Sequence, residues 1–240
     1  LIVNIVKEVF GGPLRNGDLL GACNIIEYLR KIYNLPVKFH MMEGSVNSEE
    51  YSKKFFNFLL ENTDYFSISP GDLLLNWRKV NLWDFRAISG DLIKIKNQKD
   101  IKKKIAIFPI FDAPYNTYRN WPPHVFVDIL AKYSKYDGYE KVICISDKSF
   151  IKNIDIPNGF DISVDFMENI SHILDCEIFV GGDTGTSHFA SALDRGPLKK
   201  RYYYSSRGLL HTTPFYSLFN NEIRTYWLDC EGTYFGENLC

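Results

Sequence analysis

Residues 177–193 read Glu177-Ile178-Phe179-Val180-Gly181-Gly182-Asp183-Thr184-Gly185-Thr186-Ser187-His188-Phe189-Ala190-Ser191-Ala192-Leu193. The apolar run at 177–180 has the length and composition of a short buried strand. It passes through glycines carrying one acid into small residues at helical spacing, which predict a helix over 186–193. Gly181, Gly182 and Gly185 allow a sharp turn and a close approach of ligand to backbone, and Thr186 or Ser187 can cap the helix. The first N–H groups of such a helix lack internal partners and lie at the positive end of its macrodipole, so the turn is a seat for an anion such as a phosphate. His188, one turn in, faces the same mouth. On spacing alone, the stretch reads equally as an ordinary strand-to-helix connection whose glycines only satisfy turn geometry.

Outward from this stretch the same alternation recurs. Strands at 104–109, 141–145 and 177–180 alternate with helices at 123–133, 166–174 and 186–193. Strands separated by helices imply right-handed crossovers and a parallel sheet, and such sheets bind ligands beyond the carboxyl ends of their strands. In the first half, residues 1–9 alternate as a strand. Leu19, Ala22, Ile25, Ile26, Leu29, Ile32 and Tyr33 then recur at helical spacing after Asp18. A strand over 37–42, a helix over 48–60 and short strands and turns over 73–95 follow. The lysine-rich run at 94–104 is the boundary candidate, dividing the chain into domains 1–100 and 101–240, the second with a C-terminal extension.

A chain of 240 residues with 45% hydrophobic residues is of globular composition and long enough for one large core or two modest ones. With 28 Lys and Arg against 29 Asp and Glu it is nearly neutral, which excludes a uniformly basic nucleic-acid coat. Cys23, Cys144, Cys176, Cys230 and Cys240 are scattered, odd in number and contain no C-x-x-C pair. Structural zinc and a disulfide framework are therefore not expected, and a reducing, cytoplasmic compartment is. No apolar run is long enough to span a bilayer, and the N-terminal one is broken by Lys7 and Glu8.

Three segments carry a resemblance. Asp183-Thr184-Gly185-Thr186-Ser187-His188-Phe189-Ala190-Ser191-Ala192-Leu193 is similar to the D-T-G-x-x-H-x-x-A-A-L signature of the ADP-heptose:lipopolysaccharide heptosyltransferase family, with Ser191 the one conservative departure. Leu1-Ile2-Val3-Asn4-Ile5-Val6 followed by Gly17-Asp18-Leu19-Leu20 resembles the opening strand and G-D-x-L motif of that family. Ile105-Ala106-Ile107-Phe108-Pro109 followed by Arg119-Asn120-Trp121-Pro122 resembles its second-domain strand and basic-x-Trp-Pro element. The three occur in the family's order and span the chain from its first strand to about residue 193.

The resemblance implies an α/β, GT-B-like architecture: two Rossmann-like domains with parallel sheets facing a central cleft, the N-terminal one reduced and serving the acceptor, the C-terminal one binding the donor. It implies a metal-independent, inverting glycosyltransferase that moves a sugar from a nucleotide-diphosphate sugar to an acceptor hydroxyl. Asp18 would be the catalytic base, at a helix start whose dipole favours its charged form; the plainer reading is an N-terminal cap. Arg119 would pair with phosphate oxygens through its planar fork of donors, against a plain solvent-exposed loop arginine. The N–H groups of Thr184, Gly185 and Thr186 would take the other phosphate. Asp183, beside a diphosphate, more naturally accepts from donor-sugar hydroxyls or its own loop. His188 would donate to a phosphate, against a half-buried helix histidine, and Trp121 would pack under the donor loop. His40, His124, His172 and His211 show no pairing in the sequence.

No D-x-D occurs, so a divalent metal held by paired acids is not expected, and no cofactor is implied. Residues 12–19 have Walker-like glycine spacing but Asp18 and Leu19 stand where Lys and Ser or Thr belong, and no G-x-G-x-x-G follows a strand. The chain is shorter than the family norm, chiefly in the half expected to recognise the acceptor. A saccharide acceptor is the first reading. The second is a phage-type enzyme glycosylating a hydroxylated base in DNA, suggested by the mixture of basic and aromatic residues at 197–207, which reads otherwise as a buried strand of tyrosines. A third is a nucleotide-sugar-binding module without turnover.

Overall fold

The computed structural model describes residues 1–5, 16–42, 45–71, 73–75, 93–111, 119–182, 184–194, 196–205, 223–228 and 234–237. The chain divides into two compact units: Leu1–Gln98 with Ala192–Asp194, and Lys99–Ser191 with Arg195–Cys240.

The first unit is built on a three-stranded parallel sheet of β1 (Ile2–Ile5), β2 (Lys38–Met41) and β3 (Leu73–Leu75), in the order β2-β1-β3. Helix α1 (Asn16–Tyr33) joins β1 to β2, and α2 (Glu50–Asn62) lies between β2 and β3. Leu19, Leu20, Ala22, Cys23, Ile25 and Ile26 of α1 are buried, as are Phe55, Phe58 and Leu59 of α2. The predicted stripe on α1 fails at its end, where Ile32 and Tyr33 are exposed. The cause is length: 18 helical residues reach about 27 Å, whereas a four-residue strand covers roughly 13 Å. Arg30 secures the loop beyond, donating from Nε to the Val37 carbonyl at 2.9 Å and from its terminal nitrogens to the carbonyl (2.9 Å) and carboxylate (3.1 Å) of Asp64. The short return segment Ala192–Asp194 belongs to this unit through Ile93. The Ile93 N–H donates to the Ala192 carbonyl at 2.6 Å, and the Asp194 N–H to the Ile93 carbonyl at 3.0 Å.

The second unit contains, among the described residues, a seven-stranded sheet: β4 (Lys102–Phe108), β5 (Glu140–Cys144), β6 (Phe160–Ser163), β7 (Cys176–Gly181), β8 (Lys199–Ser205), β9 (Ile223–Leu228) and β10 (Tyr234–Glu237). Its order is β10-β9-β8-β7-β4-β5-β6, parallel throughout except for the antiparallel edge strand β10. Helices α3 (Pro123–Ser134), α4 (Phe166–Asp175) and α5 (Gly185–Ala192) occupy the β4–β5, β6–β7 and β7–β8 connections. Counted from β4, the parallel strands run 3-2-1-4-5-6, the Rossmann order, with the switch point between β4 and β7.

Strands covered on both faces are near-continuously apolar, and β4 is buried from Lys104 to Phe108. On one face Ile105, Ile107, Ile143, Ile178, Val180 and Tyr203 pack with Val125, Phe126, Ile129 and Leu130 of α3. On the other, Phe108, Phe179 and Tyr202 form an aromatic row with ring centroids 5.2 and 5.8 Å apart. Full burial of each such large side chain contributes about 1.5–3 kcal/mol.

One further expectation is corrected here. The helix over 186–193 begins at Gly185 and ends at Ala192. Within the stretch at 197–207, Lys200, Arg201, Tyr202 and Tyr203 lie in the interior strand β8 and are buried, as the reading of a buried strand of tyrosines expects. The Arg201 guanidinium is 5.6 Å from the centre of the Tyr133 ring and donates to the Tyr133 hydroxyl at 3.1 Å. Among the described residues, no helix is long and apolar enough to cross a membrane.

Candidate functional site

The switch between β4 and β7 puts the segments following these two strands side by side at the carboxyl edge, because the chain leaves β4 toward one side of the sheet and leaves β7 toward the other. β7 ends at Gly181, and Gly182, Asp183 and Thr184 follow it, then α5. Asp183 lies outside the described residues. The loop after β4 ends in Arg119, Asn120 and Trp121, immediately before α3.

Thr184 opens α5. Its carbonyl accepts the His188 N–H at 3.1 Å, the first helical bond, and its Oγ1 accepts the Ser187 N–H at 3.4 Å. This is the N-cap role expected of Thr186 or Ser187 and carried by neither. Thr184, Thr186 and Ser187 all have cap chemistry, and only the backbone selects among them. Thr186 instead shares a 2.7 Å hydrogen bond with Thr184 Oγ1. The Thr184 N–H, expected to receive a phosphate, donates to the Gly182 carbonyl at 3.0 Å. The N–H groups of Gly185 and Thr186 follow it at the start of α5.

Gly182 is required by space rather than by dihedral angle. A Cβ there would stand 2.5 Å from Ile110 Cδ1 and 2.8 Å from Trp121 Nε1, and its φ is outside the left-handed region. The glycine turn and the 119–121 loop are thus in direct contact. Trp121 is buried, as its place beneath this loop predicts, and its indole N–H donates to the Tyr203 carbonyl at 3.3 Å. Arg119, two residues earlier, is half-buried.

Below the turn, α5 is held by its buried face. Ser191 Oγ donates to the Ser187 carbonyl at 2.9 Å and is hydrogen-bonded to the Tyr202 hydroxyl on β8, whose ionisation burial opposes. Phe189 and Ala190 are fully buried, while Thr184, Gly185, Thr186 and His188 are half-buried at the open end of the helix.

Asp18 is the third residue of α1, within its first turn. Among the described residues, no three His, Cys, Asp or Glu side chains are gathered as a metal site. Sequence reasoning missed one polar cluster, at the opposite edge of the same sheet. There Lys104 Nζ lies 2.9 and 3.0 Å from the Asp175 carboxylate oxygens, 3.3 Å from Glu140 and 3.2 Å from His172 Nδ1. No signal in the sequence gathers these four positions, because their proximity is created by strand pairing.

No family model and no curated protein sequence matches the chain. Among solved structures it resembles E. coli ADP-heptose LPS heptosyltransferase II, with a TM-score of 0.56 and 12% identity over 93% of this chain and 89% of that one. Two others are E. coli heptosyltransferase WaaC with ADP (TM-score 0.47, 12% identity, 97% and 95%) and the iron-containing dodecameric glycosyltransferase TibC of enterotoxigenic E. coli (0.49, 12%, 84% and 57%). The likeness to heptosyltransferase II is one of fold: both chains have the α/β architecture that the three motifs implied.

Proposed function

We propose that the protein is a glycosyltransferase that takes a sugar from a nucleotide-diphosphate donor and passes it to an acceptor hydroxyl. The observation that carries this reading is the contact of the Gly182 turn with Trp121 at the β4–β7 switch point, which joins the start of α5 to the loop bearing Arg119. Anions favour a helix N-terminus at such a switch point, and the fold shared with heptosyltransferase II supports the same assignment.

In the proposed reaction the acceptor oxygen attacks the anomeric carbon as the bond from that carbon to the diphosphate oxygen breaks, inverting the centre. The acceptor proton passes to Asp18 and the electron pair leaves with the nucleoside diphosphate. Arg119, the N–H groups of Gly185 and Thr186, and His188 offset the charge that develops on the leaving group. Asp183 accepts hydrogen bonds from the donor sugar. No metal enters this scheme, since protein donors meet the diphosphate. A saccharide is the preferred acceptor. The DNA reading drew on residues 197–207, of which 200–203 are buried.

A thermal-shift panel of nucleoside diphosphates and their sugars tests the donor, since a ligand at 100 times its Kd stabilises by about 2.7 kcal/mol. Stabilisation by NAD above every sugar nucleotide overturns the reading. Asp18→Asn then separates enzyme from binding module. It should lower release of nucleoside diphosphate in the presence of acceptor by about 10²–10⁴-fold, the usual worth of a general base, with donor Kd unchanged.

A further inference from the structure

Trp121 is fixed by more contacts than an apolar space-filler needs. Its main-chain N–H donates to the Ile110 carbonyl at 2.7 Å, and its indole N–H donates to the Tyr203 carbonyl at 3.3 Å. Its ring meets the Tyr203 ring edge-on at 5.5 Å. On the remaining side Nε1 faces Gly182, where a Cβ would come within 2.8 Å. One residue therefore meets Ile110 through its main chain, and the middle of β8 and the turn after β7 through its side chain. Bulk alone would fill the cavity. The single N–H donor, by contrast, sets the rotation of the indole and so the edge against which the Gly182 backbone rests.

We propose that Trp121 is a positioning residue for the donor diphosphate, holding the Arg119 loop and the Gly182–Thr184 turn in register so that both meet the same group. The proposal rests on the reading of this turn as a diphosphate seat. Its physical basis is that hydrogen-bond donors act on a bound group only within a narrow geometry, and a misplacement of about 1 Å costs on the order of 10²-fold in rate. The turn and the loop are far apart in sequence, so a contact and not chain connectivity sets their separation.

The test uses Trp121→Phe, which keeps an aromatic ring and removes the N–H donor, with Ile129→Val in the same core cluster as a control for general loss of packing. Two readouts are taken on the intact chain: amide resonances of Gly182, Gly185 and Thr186, and Kd for ADP, GDP, UDP and CDP. The expected result is displaced turn resonances and a Kd raised about tenfold for the best-binding nucleotide, about 1.4 kcal/mol, with neither change in Ile129→Val. Gly182→Ala approaches the same contact from its other side and serves if Trp121→Phe does not fold. It should displace the Trp121 indole N–H resonance and weaken the same nucleotide. Turn resonances that move no more than in Ile129→Val, or that move without a change in Kd, overturn the proposal. If the wild type binds none of the four nucleotides, the reading of the site as a diphosphate seat fails, and the positioning role in donor binding falls with it. The amide readout then reports separately whether the contact sets the shape of the turn.

Discussion

At the amino end of β4, Lys104 meets both carboxylate oxygens of Asp175, with Glu140 and Lys102 completing a set of charges that neutralise one another. At the carboxyl end of the same strand and its neighbour β7, the polar groups are main-chain N–H, hydroxyls and half-buried side chains, arranged around glycines that leave no room for a Cβ. One edge satisfies itself with its own side chains. The other presents donors that a helix start leaves over, at the position where a parallel sheet reverses its strand order. The contrast separates what keeps the second unit folded from what would recognise a ligand, and substitutions at the two edges should divide accordingly.

The largest effect is expected at the amino edge. Asp175→Ala leaves Lys104 buried with the half-exposed Glu140 at 3.3 Å as its carboxylate partner and His172 Nδ1 at 3.2 Å. Removing one member of a buried pair costs about 3–5 kcal/mol, and the remaining Glu140 contact points to the lower end. The midpoint of urea unfolding should fall accordingly while the nucleotide Kd of the folded protein stays unchanged. A Kd that moved in step with stability would break the division between the edges.

A smaller effect is expected at the carboxyl edge. Thr184→Ala removes the side-chain oxygen that accepts the Ser187 N–H and the partner of Thr186. Loss of an N-cap costs about 1 kcal/mol. Unlike Asp175→Ala, this change should also weaken binding of the nucleoside diphosphate that most stabilises the wild type, because the helix start is where that ligand would sit. Equal urea midpoints with a raised Kd would sharpen the comparison further; a lowered midpoint with unchanged Kd would undo it.

The two edges also differ in how far the sequence announces them. The alternation of strand and helix from 102 to 192 is local, and a period of two or of 3.6 residues is visible without knowing any partner. The glycine turn was visible for the same reason. The Thr184 cap was not, since Thr184, Thr186 and Ser187 carry the same chemistry and differ only in the backbone each adopts. The amino edge was hidden more deeply. Lys104 ends a lysine-rich run that reads as a solvated boundary, yet it is buried because β4 starts two residues earlier and turns it toward Asp175. Likewise Lys200 and Arg201 look like surface charges until β9 pairs beyond β8 and makes that strand interior. Charge composition carries no information about long-range pairing, and pairing decides burial.

His172 offers the mildest test, by pH alone. Burial holds its imidazole below the ordinary value of 6.5, and the neighbouring Lys104 ammonium lowers it further, against the opposing pull of Asp175, Glu168 and Glu140. The folded protein therefore binds a proton at His172 less readily than the unfolded chain does. As pH falls below 6.5 the unfolded state gains protons first, and stability declines until the lowered folded value is passed; above 6.5 this contribution is fully present. Lys104 acts at the other extreme. Burial lowers its value, but Asp175 and then Glu140 outweigh burial and leave it raised above 10.5, so its stabilisation holds below that pH and is lost as pH rises through the raised value. His172→Gln should flatten the slope of the urea midpoint between pH 7.5 and pH 5.5 while leaving the alkaline limb in place. Because the carboxyl edge contains neither group, nucleotide Kd measured at pH 7.5 should be the same in this variant as in the wild type, and a difference there would mean that the two ends of the sheet are coupled.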